Sequence, residues 1–207
     1  MQPYFSLLLT CSLFLTKLVS ASSSLPPRAD DAASFSLYAY GSDIEGLPIF
    51  YGDGVAYTGY ATPPNVSQAL NVTCQHNVLS FSSSSLTAPV APAPNDSTAF
   101  QISPNSSANW TSKPRLAINI APDAFDPVKF LSPNATLSDD QIASGFRIYG
   151  KDLAYLNSSS GKLQEAFWAS NTSQSGAWVL RWNVGGQSHD GSVPVVVKTM
   201  APSKPSH

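Results

Sequence analysis

Hydrophobic and polar positions alternate with a period of two along much of this chain. The cleanest case is Ala69-Leu-Asn-Val-Thr-Cys74. In an extended backbone Leu70, Val72 and Cys74 fall on one side, and Asn71 and Thr73 on the other. Residues 35–40 form a second strand-like run, with aromatic rings on both faces. Residues 47–51 and 55–60 flank Gly52-Asp-Gly54, which predicts a β-hairpin because Asp-Gly supplies the positive φ values of a tight turn. Pro48 lacks an N–H and favours the start or an edge of its strand.

The same reading predicts strands at residues 78–81, 98–102, 115–120, 145–149, 153–156, 164–169, 177–182 and 193–199. In the run at 177–182, Trp178, Leu180 and Trp182 share a face, opposite Ala177, Val179 and Arg181. Clusters of Gly, Pro, Ser and Asp separate these runs, as at Pro122-Asp123, Ser158–Gly161, Ser173–Gly176 and Gly185-Gly186. Helical periodicity is nearly absent. The exception is residues 138–142, where Ser138 and Gln141 have capping-box spacing. Many short strands with turn signals between them predict one all-β domain. A single antiparallel β-sandwich is the first expectation, with a jelly roll or barrel as the second.

The solvent side of this pattern carries an unusual mark. Eight of the eleven asparagines open an Asn-x-Ser/Thr sequon: Asn65, Asn71, Asn95, Asn105, Asn109, Asn134, Asn157 and Asn171. Ser and Thr make up about a fifth of the chain, so chance would give roughly two. The excess predicts N-glycosylation at these sites. Asn71 falls on the polar face of its strand, where a glycan has to be.

The N-terminus fits that expectation. Residues 1–21 have the form of a signal peptide, with an apolar run too short to cross a bilayer and a small-residue site at Val19-Ser-Ala21. Residues 22–34 form a Ser-, Pro- and Ala-rich leader, 35–200 the domain, and 201–207 a polar tail without the hydrophobic end of a lipid-anchor signal. No later segment is apolar enough for a transmembrane helix. The Ser/Ala/Pro-rich stretch at 82–94 is expected to be an exposed loop. Charged residues are only 12% of the chain and the net charge is −2, which leaves no electrostatic footprint for nucleic acid. Cys11 belongs to the signal segment, so Cys74 stands alone. It is expected to be buried as a small hydrophobe, with pairing to another chain as the alternative.

Catalytic chemistry finds little support. A glycosidase needs two carboxyl groups across a cleft, and Glu165 beside Phe167-Trp168 is the one acid with a sugar-site setting. Asp53 is explained by its turn and Asp139-Asp140 by a helix start. His76, His189 and His207 are scattered, His189 in a Gly-rich turn expected to be exposed. No nucleophile elbow, metal motif or phosphate loop is present, so no catalytic residue, metal or cofactor is expected. The aromatic residues remain. Tyr38, Tyr40, Tyr51, Tyr57 and Trp168 are candidate platforms for stacking sugar rings, unless they fill the core.

Two segments carry a resemblance. Phe35-Ser-Leu-Tyr-Ala-Tyr-Gly41 with Gly46-Leu-Pro-Ile-Phe-Tyr-Gly-Asp-Gly-Val-Ala-Tyr57, and Trp178-Val-Leu-Arg-Trp-Asn183 with Val193-Pro-Val-Val-Val-Lys-Thr199, resemble the two ends of a family of small secreted β-rich glycoproteins of filamentous fungi. The resemblance implies an extracellular or wall-associated fungal protein and carries no catalytic residues. The expected function is therefore a secreted, non-catalytic surface glycoprotein whose partner is a cell-wall polysaccharide or a host protein. A carbohydrate-binding module is the alternative, and a glycoside hydrolase the second alternative.

Overall fold

The computed structural model describes residues 34–75, 101–104 and 113–203. Sixteen β-strands and no helix lie within them. In chain order they are β1 (Ser34–Phe35), β2 (Tyr38–Gly41), β3 (Ile44–Gly52), β4 (Val55–Gly59), β5 (Ala69–Gln75), β6 (Gln101–Pro104), β7 (Arg115–Asn119) and β8 (Phe125–Pro127). Then follow β9 (Lys129–Leu131), β10 (Gln141–Ile142), β11 (Phe146–Tyr149), β12 (Asp152–Asn157), β13 (Lys162–Gln164), β14 (Phe167–Asn171), β15 (Ala177–Asn183) and β16 (Ser192–Lys198). The all-β expectation holds.

Six strands close on themselves. β4 pairs with β3, β3 with β2, β2 with β16, β16 with β14, β14 with β15, and β15 returns to β4, all antiparallel. The ring is a six-stranded barrel, and its closure leaves no free sheet edge within it. The other strands are bonded outside. β5 runs along β3 with β1 and β6 on its flanks. β7 and β9 lead back to β4, and β10 pairs with β7. β8 lies along β15, and β12, between β11 and β13, touches β16.

The expected hairpin forms at Asp53-Gly54. Gly52 pairs with Val55, leaving a two-residue turn with φ of 47° and 87°. Two positive φ values make the turn whose twist matches that of the strands. Its first arm is longer than the alternation suggested. β3 begins at Ile44, pairs first with β2, and then with β4 and β5. Pro48 sits in the middle of this strand, not at its start, because β3 changes partners there. The buried Thr58 hydroxyl lies 3.0 Å from Leu47 O and 3.2 Å from Pro48 O, so its single proton is shared between the two carbonyls at the crossing.

The core follows the alternation. Phe167 and Ala169 of β14 lie opposite Trp182 and Leu180 of β15, and all four are no more than 1% exposed. Phe167 meets Trp182 edge to face at 4.9 Å, and Trp182 meets Tyr155 at 6.1 Å. Phe146 continues the chain of rings from Tyr155. Edge-to-face packing aligns the positive rim of one ring with the negative face of the next.

Several expectations are corrected. The run at 138–142 is a turn followed by β10, not a helix. Gln141 N donates to Ser138 O at 2.9 Å and Ser138 N to Gln141 Oε1 at 3.3 Å, so the capping-box residues close a turn instead. The strand at 164–169 is interrupted at Glu165 and Ala166 and restarts at Phe167. β8 and β9 were not expected, because Asp126, Pro127 and Lys129 hide their alternation. Pro202, placed in the tail, is half-buried beside Gly46, and Tyr40 donates to Met200 O at 2.8 Å. The expected signal segment at 1–21, the strand at 78–81, the loop at 82–94, His76, His207 and the sequons at Asn95, Asn105 and Asn109 lie outside the described residues.

Candidate functional site

An open groove of about 460 Å³ lies beside the hairpin. That volume falls within the roughly 300–1,000 Å³ of small-molecule sites. Ser36 and Tyr38 come from the start of β2 and the residues before it. Pro48 and Phe50 come from the middle of β3, Tyr60 from the loop after β4, and Asn71 from β5. Gly59 ends β4 with φ of 136°, and the next residue, Tyr60, is 79% exposed. A large ring placed just past the last paired residue has no strand neighbour to cover it.

The loop between β4 and β5 forms a fixed wall. Asp53 at the hairpin tip accepts hydrogen bonds from Ser67 N at 2.6 Å and Gln68 N at 2.9 Å. Its own N–H donates to Gln68 O at 3.2 Å. Pro63 of the loop is buried, and Val66 N donates to Pro63 O at 3.0 Å. Asp53 therefore does more than turn the chain: its carboxylate ties the loop to the hairpin.

Among the described residues the groove's lining holds no Asp, Glu, His, Lys, Arg or Cys, and tyrosine is the one ionisable side chain there. It offers rings, hydroxyls and one carboxamide, with no acid–base pair of the kind hydrolysis requires. Glu165 is exposed at the break before β14 and does not line the groove.

The five candidate stacking residues separate. Tyr38 lines the groove and is half-buried. Tyr57 is corrected: it is 8% exposed and stacked on Phe50 at 5.5 Å, so neither of its faces is free for a sugar. Burial, and next the nearby Asp53 carboxylate, push its hydroxyl pKa up. Tyr51 is half-buried and stacked on Phe130 at 5.9 Å. Tyr40 has the Lys198 ammonium 5.7 Å from its ring centre, while Lys198 also pairs with Asp152 at 3.5 Å. Trp168 is half-buried and set edge-on to Phe125 and His189. His189 is not the exposed turn residue expected from Gly-rich surroundings. It stacks on Phe125 at 3.7 Å, and the Arg181 guanidinium lies over the same Phe125 ring at 5.0 Å.

Cys74 is 1% exposed, and burial pushes its thiol up to about 12. It is a small hydrophobe of the core. Among the described residues no three His, Cys, Asp or Glu side chains gather as metal ligands. No helix among them is long and apolar enough to cross a membrane.

The asparagines divide by role. The described sequon residues Asn65, Asn71, Asn134 and Asn171 are exposed, and Asn157 is half-buried. Asn157 Oδ1 accepts from Ser159 N at 3.0 Å and Ser160 N at 3.1 Å, which leaves its Nδ2 outside the turn. Asn119 and Asn183 have no sequon, and both brace loops. Asn183 is 2% exposed, donates to Gln187 O at 2.7 Å and accepts from Gly186 N at 3.0 Å. Asn119 accepts from Ala121 N at 2.9 Å and donates to Asp126.

No protein-family model, curated protein or solved structure matches this chain.

Proposed function

We propose that this protein is a secreted, N-glycosylated surface protein without catalytic activity, working at a cell wall or a host interface. The carrying observation is the division of the asparagines. The described sequon residues Asn65, Asn71, Asn134 and Asn171 are exposed and Asn157 is half-buried with only its Oδ1 bonded in a turn, whereas the sequon-free Asn119 and Asn183 use both side-chain atoms in structural hydrogen bonds. A glycan on Asn183 would break a buried network. Asn65, Asn134 and Asn171 are exposed and have room for one. The signal-like N-terminus and the likeness to secreted fungal glycoproteins support the same reading. The test is the mass of the full chain secreted from a eukaryotic host, before and after peptide N-glycosidase. A loss of several glycans is expected, and an unchanged mass removes the proposal.

A second reading, a carbohydrate-binding module, is favoured by one observation: the neutral groove with Tyr38 and Tyr60 in its lining. Aromatic rings hold sugars by their C–H faces and need no charge. Depletion of the protein by insoluble chitin, β-glucan or cellulose supports it, and retention in solution with all three removes it.

A further inference from the structure

Asn71 belongs both to the sequons and to the groove lining, and the two readings meet there. We propose that the groove is occupied by the chain's own N-glycan, attached at Asn71, with its first sugars lying against Tyr38 and Tyr60. This rests on the glycoprotein reading above.

The placement follows from strand register. Asn71 of β5 lies opposite Phe50 of β3, and Phe50 lies opposite Tyr57 of β4. Residues opposite one another in adjacent strands share a sheet face. Asn71, Phe50 and Tyr57 therefore form one row, in which the two rings are buried and stacked and the carboxamide is exposed. Ala69 lies two residues before Asn71 on the same face, and its small side chain keeps the space beside Asn71 open. A group attached to Nδ2 starts inside the groove rather than beside it.

The chemistry of the lining fits that occupant. The first sugars of an N-glycan are uncharged N-acetylhexosamines, with a C–H face, hydroxyls and an amide. The groove answers with the Tyr38 and Tyr60 rings, the Ser36 and Thr62 hydroxyls and, among the described residues, no charge. An ionic or acidic ligand would find no counter-charge there. Asp53 anchors the loop at Ser67 and Gln68, directly before the lining residues Ala69 to Asn71, so that wall is set before a sugar arrives. Attachment joins the anomeric carbon of the first sugar to Nδ2 of Asn71. The nitrogen loses a proton, and the lipid pyrophosphate of the sugar donor leaves.

The other described sequons differ. Asn65, Asn134, Asn157 and Asn171 do not line the groove. Among the described sequons, Asn71 is the one set in the groove.

The experiment uses the full chain secreted from a eukaryotic host. The folded protein is digested with a glycan-releasing enzyme, and each sequon is followed by glycopeptide mass spectrometry. The Asn71 glycan is expected to be released about tenfold more slowly than those at Asn134 and Asn171, as ring stacking of ordinary strength implies. Tyr60→Ala, at an exposed position, and Tyr38→Ala should each bring the Asn71 rate toward the others. Equal release at Asn71 and Asn134, or an Asn71 left bare while other sequons are occupied, overturns the inference and leaves the glycoprotein reading standing. A chain without any glycan overturns both. Asn71→Gln supplies a separate readout: it should empty the groove and expose it to added chitin fragments. Binding by the wild type equal to that of the variant would show that the groove serves an outside ligand, and would also overturn the inference.

Discussion

Two sides of the barrel use aromatic residues in opposite ways. Along β14 and β15 the rings cover one another: Phe167, Trp182, Tyr155 and Phe146 meet edge to face within the core, and Phe125, His189, Trp168 and Arg181 close over the outer face. Along β3 and β4 the stacked Phe50 and Tyr57 are buried, but the pattern stops at the end of β4, and Tyr60 stands out in solvent. The first side is saturated, because each ring is already another ring's partner. The second retains unfilled surface. The difference leaves open surface on the hairpin side, although the larger number of aromatic groups lies on the other.

Substitutions can break or sharpen this contrast. Trp182→Ala on the saturated side should cost the most, about 4 kcal/mol, because it removes a buried indole from contact with two other rings. A fall in Tm on the order of 10 °C, by calorimetry, is expected for a chain of this size. Gly59→Ala at the seam between the sides should cost about 3 kcal/mol. Residue 59 holds φ of 136°, and an added Cβ would collide with Gly176 O, where β4 meets β15. Chemical denaturation of that variant is the check, and wild-type stability would mean the ring is not closed at this point.

Alkaline pH should weaken both sides in one direction. Cys74 holds its proton to about 12 in the folded protein against an ordinary 9.0. Below pH 9 the thiol is neutral folded or unfolded and contributes no slope. Above it the unfolded chain ionises first, so stability falls as pH rises through the window from 9 to 12. Tyr57 and Tyr155, both raised by burial, add to the fall above 10.0. Cys74→Ala should flatten the drop in Tm that begins near pH 9. A thiol reagent should label Cys74 only as the protein unfolds, and rapid labelling of the folded chain would contradict its burial. The smallest effect on stability, under about 0.5 kcal/mol, is expected for Tyr60→Ala, since its ring packs on little. A loss of stability beyond that would move Tyr60 from the groove's account to the core's.

The alternation of the sequence made much of this readable. The turn at Asp53-Gly54, the inward set of β15 and the buried Cys74 all follow from period-two spacing and turn chemistry. What escaped it was pairing between distant segments. β8 and β9 exist because β15 and β4 offer them partners, and their own residues include Asp126, Pro127 and Lys129. Pro48 is tolerated mid-strand because β3 changes partners there, from β2 to β4 and β5, where the missing N–H interrupts no continuous ladder. The groove was half legible. Tyrosines concentrate at the hairpin, but alternation assigns a ring to a face without saying whether another strand covers that face. It therefore offered Tyr57 and Tyr38 equally, and the structure keeps only Tyr38 beside the groove.

The barrel's closing strand has a consequence in time. β16, at residues Ser192–Lys198, is the strand that joins β2 near the start of the chain to β14. A ribosome makes the hairpin first and must add more than a hundred further residues before the ring can shut, a delay on the order of ten seconds at about 5–20 residues per second. Until then the nascent chain has no closed barrel, and its contacts wait on the longest loop. All eight sequons lie before Ser192. Each of them is therefore synthesised, and open to an enzyme that needs an extended segment, before the strand that locks the fold has been made.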